Sequence, residues 1–184
     1  MIGDAMKQSG ATLLELMVVL AVSAILLGIG VPSFVGLANS SRLTSATNEL
    51  VSSLHLARSE AIKRNSRVVL CTSTTGTSCA ASGSWQQGWL VFHDVNNNVV
   101  LDAGETMILA RHAHQAGLLL TGNTHVTKYI SYSPSGAAKL ISGAFQAGTL
   151  TLCNESAVSG AARQVIVSST GRPRAVKVIL ASCP

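Results

Sequence analysis

Two arginines near the C-terminus have the spacing that contacts to neighbouring phosphates require. Arg172 and Arg174 flank Pro173, which fixes its own φ angle and favours an extended backbone at the residue before it. Side chains at positions 172 and 174 then project to the same side of the chain, about 7 Å apart. Two guanidinium groups held in this way can donate hydrogen bonds to adjacent phosphate oxygens. The sequence therefore predicts a phosphate-contacting surface here, and the alternative is a turn that carries two exposed arginines.

Positive charge is concentrated in the same part of the chain. Up to Glu105 the sequence has six Lys or Arg residues and seven Asp or Glu residues, whereas from Thr106 onward it has seven basic residues and the single acid Glu155. Such a region attracts polyanions, and Arg163 and Lys177 are predicted to add charge to the arginine pair. A basic surface that contacts only water is the alternative. No aromatic residue is interleaved with these basic residues, so base stacking and sequence-specific reading are not expected.

Other residue patterns give little support to catalysis or metal binding. The chain has no Gly-x-Ser-x-Gly motif, and its cysteines are predicted to form disulfides, so we expect neither an enzyme nor a bound cofactor. His112, His114 and His125 lack a nearby acidic or cysteine ligand and are expected on the surface. Asp94–Glu105 places oxygen-bearing side chains at EF-hand positions 1, 3, 5, 9 and 12, but Val99 occupies the position that needs glycine. We expect a polar connection there and no metal, with calcium as the alternative.

Four cysteines allow three disulfide pairings. We favour Cys71 with Cys79, which closes a short loop of turn-forming residues, and Cys153 with Cys183, which attaches the penultimate residue to the domain. No Cys-x-x-Cys spacing indicates a zinc site or a thioredoxin-like site. Because disulfides form in oxidising compartments, this part of the chain is predicted to lie in one.

An apolar segment near the N-terminus is long enough to place the protein in a membrane. Residues 16–31 carry no charge and span about 24 Å as a helix, and extension back to Ala11 covers a bilayer core of about 30 Å if Glu15 is accommodated. A cleaved secretory signal ending near Gly36–Ala38 and a plain membrane anchor are alternatives. The plain anchor leaves Glu15 unexplained, because a carboxylate within a membrane helix is costly and usually has a functional partner.

A long helix and a β-rich domain must position these residues. A helix is predicted from about Thr12 to Arg64, apolar all round in its first half and amphipathic in its second, with its end at Asn65-Ser66. Its expected buried face comprises Leu43, Ala46, Thr47, Leu50, Leu54, Ala57, Ala61 and Ile62. Short strands are predicted at 67–71, 85–93, 106–111, 117–121, 126–132, 138–141, 149–153, 164–168 and 174–180. The predicted fold class is therefore α+β, a long helix packed on a mainly antiparallel sheet.

The segment Ser9–Glu15, followed by the apolar run and Pro32, resembles the class III signal of type IV prepilins and type II secretion pseudopilins. The resemblance implies that a prepilin peptidase cuts after Gly10 and methylates the new N-terminus at Ala11. It also implies that Glu15 stays in the membrane and neutralises the N-terminal ammonium of a neighbouring subunit, since two charges in lipid are tolerable only as a pair. Pro32 stands where these helices commonly kink, whereas Ala11 replaces the usual phenylalanine.

Four later segments are similar to the GspH/FimT branch of that pilin-like superfamily. They are residues 58–65, the Gly88–Phe92 strand, the Asp94–Glu105 loop and Gly171–Arg174. The branch contains minor pilins of type IV pili, among them FimU-like structural subunits, and the H pseudopilin of type II secretion. FimT-like minor pilins carry a Gly-Arg-x-Arg motif implicated in DNA binding during natural transformation, and Gly171, Arg172 and Arg174 match it.

These resemblances imply the organisation and the partners of the protein. They imply a leader at 1–10, a helical stalk at 11–66 with its transmembrane part at about 11–31, and a periplasmic β-rich domain at 67–184. We predict a single-pass inner-membrane protein that joins a pilus with other pilins and binds DNA nonspecifically. The alternative is a structural pilin, or a type II secretion pseudopilin, that binds only other pilins.

Overall fold

The computed structural model describes residues 12–113, 117–155 and 160–184, apart from the side chains of residues 30–33. It begins with one long helix, α1 (Leu13–Arg64). The chain divides into two compact units, Met1–Asn39 and Ser40–Pro184, so that the boundary lies within α1. The kink predicted at Pro32 stays a prediction.

Both ends of α1 carry recognisable caps. The Thr12 hydroxyl oxygen accepts a hydrogen bond from Glu15 N at 3.2 Å, as the residue before a helix does in a capping box. Asn65 has a φ of 48°, and Ser66 N donates to Ala61 O at 3.2 Å, which is the left-handed ending common to helices. The helix limits predicted from the sequence, including the end at Asn65-Ser66, are confirmed.

The part of α1 before Ser40 exposes apolar side chains. It is long and apolar enough to cross a membrane, with a mean hydropathy of 2.5 over an 18-residue window. Leu16, Leu20 and Leu27 are each more than half exposed. A helix that is apolar all round is stable only in lipid or against other apolar surfaces.

The second unit starts inside α1 because the second half of the helix contributes to its core. The predicted face is buried to 4% exposure or less at Leu43, Ala46, Thr47, Leu50, Leu54, Ala57 and Ala61. Ile62, predicted to join this face, is 51% exposed. The compact unit therefore begins at Ser40, inside the helix; the division into a stalk at 11–66 and a β-rich domain at 67–184 stays a prediction.

Two antiparallel four-stranded sheets follow α1. The first has the order β3-β2-β1-β5 and contains β1 (Val68–Thr72), β2 (Gly88–His93), β3 (Met107–His112) and β5 (Tyr129–Tyr132). The second has the order β4-β6-β7-β8 and contains β4 (Leu118–Gly122), β6 (Gly148–Asn154), β7 (Gly160–Val167) and β8 (Pro173–Leu180). The predicted α+β class, a long helix packed on antiparallel β-structure, is confirmed.

Each sheet turns one face toward the amphipathic half of α1. The residues that pack there include Trp89, Val91, Ile130, Tyr132, Leu150, Leu152, Val165 and Val167. On its other face the first sheet has a smaller cluster of Val69, Cys71, Leu90 and Phe92, which is covered by Cys79, Val99, Leu101 and Tyr129. Along β2, Trp89 and Val91 therefore face α1, and Leu90 and Phe92 face the smaller cluster. Because both of its faces are covered, β2 is buried from Gly88 to Phe92.

Three predicted strands are wrong in part. Residues 126–128, predicted as the start of a strand, precede β5, which begins only at Tyr129. Residues 85–87 form a 3-10 helix, in which Trp85 Nε1 donates to Val126 O at 2.8 Å within the core. Residues 138–141 make only isolated bridges, to Tyr132 and Phe145. The chain reverses at 133–136 and again at 140–143, and the second turn includes residues 140 and 141, so no longer strand can form here.

Candidate functional site

The arginine pair, Arg172 and Arg174, lies directly after the hairpin that joins β7 to β8. Gly171 N donates to Ser168 O at 2.8 Å, and Ser168 N donates to Arg172 O at 3.3 Å, so the loop has three residues. Gly171 is the last of these and has a φ of 79°, the left-handed conformation that this kind of hairpin needs at that position. The turn therefore fixes where β8 begins and where both arginines lie.

Gly171 is also packed against a second turn. In that turn, which follows β5, Gly136 N donates to Ser133 O at 2.8 Å. A Cβ atom on residue 171 would overlap the Gly136 carbonyl oxygen and would lie 3.1 Å from Tyr132 Cε1. The close approach of two backbone segments thus requires glycine at 171. Gly171 acts in this structure by placing the arginine pair.

Arg58 of α1 joins both turns to the helix. Its Nε donates to Gly136 O at 2.9 Å and its Nη2 to Thr170 O at 3.4 Å. Arg58 was not among the site residues predicted from the sequence. Its position in the sequence could have indicated this role. Arg58 follows the buried Leu54 by four residues and the buried Ala57 by one, so it is half-buried, and a half-buried charge needs polar partners.

Both members of the arginine pair are exposed on the side of the second sheet that faces away from α1. Arg174 lies opposite Ile166, while its neighbour Pro173 lies opposite the core residue Val167, so the two point to opposite faces. Arg172, two residues before Arg174, lies on the same side as Arg174. Among the described residues, no side-chain hydrogen bond or acidic partner engages either guanidinium group.

The structure does not bring Arg163 and Lys177 together with the arginine pair, and this corrects the predicted grouping. Lys177 lies opposite Arg163 across the β7–β8 ladder, on the face turned toward α1, because position 177 is an odd number of residues from Arg174. Arg163 is only 7% exposed, and its Nη2 donates to Thr44 Oγ1 of α1 at 3.4 Å. A buried guanidinium cannot contribute to a solvent-facing phosphate surface.

The acidic side chains of the Asp94–Glu105 loop accept hydrogen bonds from the loop itself. Asp94 is fully buried, and its two oxygens accept from Asn98 N and Val99 N, each at 3.1 Å. Glu105 accepts from Val95 N and Asp102 N, and side-chain hydrogen bonds from Asn96 and Asn98 lower the pKa of Asp102. Val99 has a φ of 62°, so it makes the turn where an EF-hand uses glycine. The loop thereby covers the outer cluster of the first sheet.

No group of three or more His, Cys, Asp or Glu side chains that could hold a metal ion occurs within the described residues. His112 and His125 are exposed, and His114 lies outside the described residues. The absence of a metal stays an expectation for the complete chain.

The structure pairs Cys71 with Cys79 and Cys153 with Cys183, the pairing favoured from the sequence. The Cα atoms are 5.7 Å apart in the first disulfide and 6.0 Å apart in the second. The first holds the short loop against the outer cluster of the first sheet. The second ties the residues after β8 to β6.

The predicted processing site lies at the edge of the described chain. Gly10 and Ala11 lie outside the described residues, and Glu15 occupies the first turn of α1, where an acidic side chain is favoured by the helix dipole. The cleavage, the methylation and the role of Glu15 in assembly stay predictions.

Replacing Tyr132 by phenylalanine is expected to leave the domain as stable or to raise its free energy of unfolding by up to about 1 kcal/mol. The Tyr132 hydroxyl is buried and has no hydrogen-bond partner among the described residues, so the substitution removes a desolvated group while keeping the ring. Urea unfolding measures the change, and a loss of stability well beyond 1 kcal/mol would contradict this expectation.

The same variant should change the response to alkaline pH. Burial raises the pKa of Tyr132 far above its usual range, and the nearby charge of Arg58 lowers it by a smaller amount. The unfolded chain ionises this tyrosine near pH 10, so the wild type loses stability as pH rises above that value. The Tyr132→Phe variant has no hydroxyl to ionise at this position, so it should not show this part of the loss of stability.

The N-terminal segment and the domain both match known protein families. The model for the prokaryotic N-terminal methylation motif matches residues 5–31, and the model for type II transport protein GspH matches residues 46–171. The pilin-like protein PilA1 of Thermus thermophilus is 37% identical over 100 residues, which cover 54% of this chain and 57% of that protein. The chain thus matches little more than half the length of this relative.

Two crystal structures of the type IV minor pilin FimU from Pseudomonas aeruginosa share the fold. They superpose with TM-scores of 0.52 and 0.53, at 19% and 18% sequence identity. The matches cover 73% and 75% of this chain and 92% and 90% of the FimU chains. The resemblance first noted at Ser9–Glu15 is confirmed by these findings. Since the GspH model spans more than half of its length, the chain belongs to the GspH family of the pilin-like superfamily.

Proposed function

We propose that this chain is a minor pilin of a type IV pilus and binds DNA nonspecifically, through its phosphates, during DNA uptake in natural transformation. The observation that carries the proposal is the arginine pair: Arg172 and Arg174 are exposed on one side of the sheet and have no acidic partner among the described residues. Guanidinium groups bind phosphate oxygens with paired hydrogen bonds. Backbone phosphates are the same in every sequence, so such contacts give affinity without sequence preference.

The position of the arginine pair favours binding. Gly171 and Arg58 hold the β7–β8 hairpin against the turn at 133–136 and against α1. Only the side chains of the arginines have to be ordered when DNA binds, because the backbone beneath them is already fixed. A preorganised site keeps more of its interaction energy as affinity.

The proposed route into the pilus begins at the N-terminus. Cleavage after Gly10 leaves a methylated Ala11, and Glu15 neutralises the terminal ammonium of a neighbouring subunit. The apolar half of α1 anchors the chain in the inner membrane, with the Ser40–Pro184 unit in the periplasm, until assembly. The methylation-motif match and the exposed apolar side chains of α1 support this route, and the two disulfides agree with an oxidising compartment.

Binding of the full chain, in detergent micelles, to labelled random-sequence DNA tests the proposal when it is repeated at several salt concentrations. The logarithm of the binding constant should fall linearly with the logarithm of the salt concentration, with a slope of about −0.9 per phosphate contact. Binding that does not weaken with salt would exclude a phosphate mechanism, and no binding at all would exclude the DNA-binding function.

The second candidate function is that of an H-type pseudopilin of type II secretion, or of a FimU-like structural pilin, with no affinity for DNA. The description of the matching family model favours it. Deletion of the gene separates the candidates. Loss of protein secretion indicates the pseudopilin, whereas loss of transformation with pili still present indicates the DNA-binding pilin.

A further inference from the structure

One aromatic side chain of the Ser40–Pro184 unit stands out by its exposure. Trp85, Trp89, Phe92 and Tyr132 are fully buried and Tyr129 is half-buried, whereas Phe145 is 68% exposed. The domain has few aromatic residues, and yet this ring is not part of its core. Single exposed apolar side chains are common, so its surroundings decide whether Phe145 has a use.

The backbone beneath Phe145 is firmly held. The neighbouring Gln146 is fully buried, and its side chain accepts from Ser131 N at 3.0 Å and donates to His125 O at 2.7 Å and Tyr129 O at 2.9 Å. The main chain adds a hydrogen bond from Gln146 N to Ala138 O at 2.9 Å. Phe145 is therefore an isolated bridge residue next to a firmly held position, and it lies after the turn at 140–143, not at its tip.

A cation accompanies the ring. Phe145 lies opposite Lys139 in an isolated bridge, and Lys139 Nζ is 5.7 Å from the centre of the ring. The Lys139 ammonium lies over the ring, and Phe145 as a whole stays 68% exposed. No acidic side chain of the described residues pairs with Lys139. An exposed aromatic ring beside a cation without an acidic partner suits a nucleotide, whose base can stack and whose phosphate is negative.

Phe145 and Lys139 lie on the solvent side of the first sheet, as the arginine pair does on the second. Ala138 packs in the core beside Tyr132, so the next residue, Lys139, points away from α1 and Phe145 does the same. The turn that ends at Gly136 is in contact with Gly171. Lys139 is three positions after Gly136, and Arg172 directly follows Gly171, so the backbones of Lys139 and Arg172 are about 20 Å apart at most.

We infer that Phe145 is a stacking platform for an unpaired base and that the DNA held at the arginine pair is single-stranded there. The inference rests on the proposed function, since the arginines supply the phosphate contacts. One strand passes from Arg172 and Arg174 to Lys139, and one base stacks on the exposed ring of Phe145. A duplex cannot use the ring in this way, because its bases already stack on one another.

The test measures binding of the full chain, in detergent micelles, to single-stranded and duplex DNA of equal length. Phe145→Leu should weaken single-strand binding about tenfold and leave duplex binding unchanged, whereas Phe145→Tyr should keep both. A 2-aminopurine base in the single strand reports stacking directly, and its fluorescence change on binding should disappear with leucine and persist with tyrosine. Lys139→Gln should lower the salt slope by about one contact for the single strand.

Two control substitutions sharpen the result. Ile141→Ala removes another exposed apolar side chain of the same segment, and Phe34→Leu removes an exposed aromatic ring on α1; neither should alter DNA binding. Equal single-strand affinity in wild type and Phe145→Leu would overturn the inference, as would equal losses for single strand and duplex. If salt-dependent binding persists in either case, the proposed function stands and only the stacking role falls. If the wild type binds no DNA, the proposed function itself fails.

Discussion

Replacing Arg172 and Arg174 together by alanine is expected to weaken DNA binding about 10- to 100-fold at moderate salt and to lower the salt slope by about two contacts. Both arginines are exposed, and their guanidinium groups make no hydrogen bond or ion pair among the described residues, so their removal should leave the thermal midpoint of unfolding nearly unchanged. Fluorescence anisotropy with labelled DNA measures the affinity, and circular dichroism on the same samples measures the stability.

Lys177→Ala is the matched control for charge. Lys177 is exposed and belongs to the same strand, but it lies on the face turned toward α1. Its loss should reduce affinity by no more than the small effect of one distant charge. An unchanged affinity in the double arginine variant would show that Arg172 and Arg174 do not form the DNA-binding site. An equally large loss in Lys177→Ala would indicate that overall charge, and not this pair, holds the DNA.

Gly171→Ala is expected to lower the free energy of unfolding of the domain by about 2–4 kcal/mol. Two costs combine: alanine must adopt a φ of 79°, and its Cβ overlaps the Gly136 carbonyl oxygen. Because that oxygen belongs to the backbone of another turn and also accepts from Arg58, it cannot move aside cheaply. Urea unfolding followed by circular dichroism measures the loss.

Gly143→Ala separates the two costs. Gly143 also has a positive φ, of 85°, but no atom lies within 4 Å of a Cβ built there. Its substitution should therefore cost only the backbone strain, about 1 kcal/mol. Equal losses at 171 and 143 would mean that the contact with Gly136 contributes nothing. Below the unfolding midpoint, Gly171→Ala should also weaken DNA binding, since the hairpin that places the arginine pair is disturbed.

The helix and the disulfides could be predicted from local patterns. The three- and four-residue steps of apolar residues gave the buried face of α1, and Asn65 gave its end. The short Cys71–Cys79 loop and the C-terminal cysteine restricted the pairing. These features depend on neighbours in sequence or on chain length, which a sequence displays directly. The division into two sheets could not be predicted in this way, because it depends on which strands pair.

The residues that form the site could be predicted only in part, because the side chains of a site must lie on the same face of the sheet. The spacing of Arg172 and Arg174 put them on one side, but Lys177 is three residues from Arg174 and therefore lies on the other. Arg163 belongs to a different strand, and only the β7–β8 register reveals that it points toward Thr44. No aromatic residue is interleaved with the arginines in sequence, which is why base stacking was not expected. Phe145 is distant in sequence from Arg172, and only the contact between Gly136 and Gly171 relates the two segments.

The Cys153–Cys183 disulfide has a mechanical consequence for the proposed role. Its two cysteines are 30 residues apart, and both strands of the arginine-bearing hairpin lie between them. An edge strand such as β8 gives way to a pulling force by peeling from its free end, one hydrogen bond at a time. Here that end is joined covalently to β6, so a force applied by a bound polymer at Arg172 acts on a closed ring of chain. If the filament moves while DNA is bound, a hairpin inside this covalent ring would keep its strands paired, whereas a strand with a free end would be pulled away from the sheet.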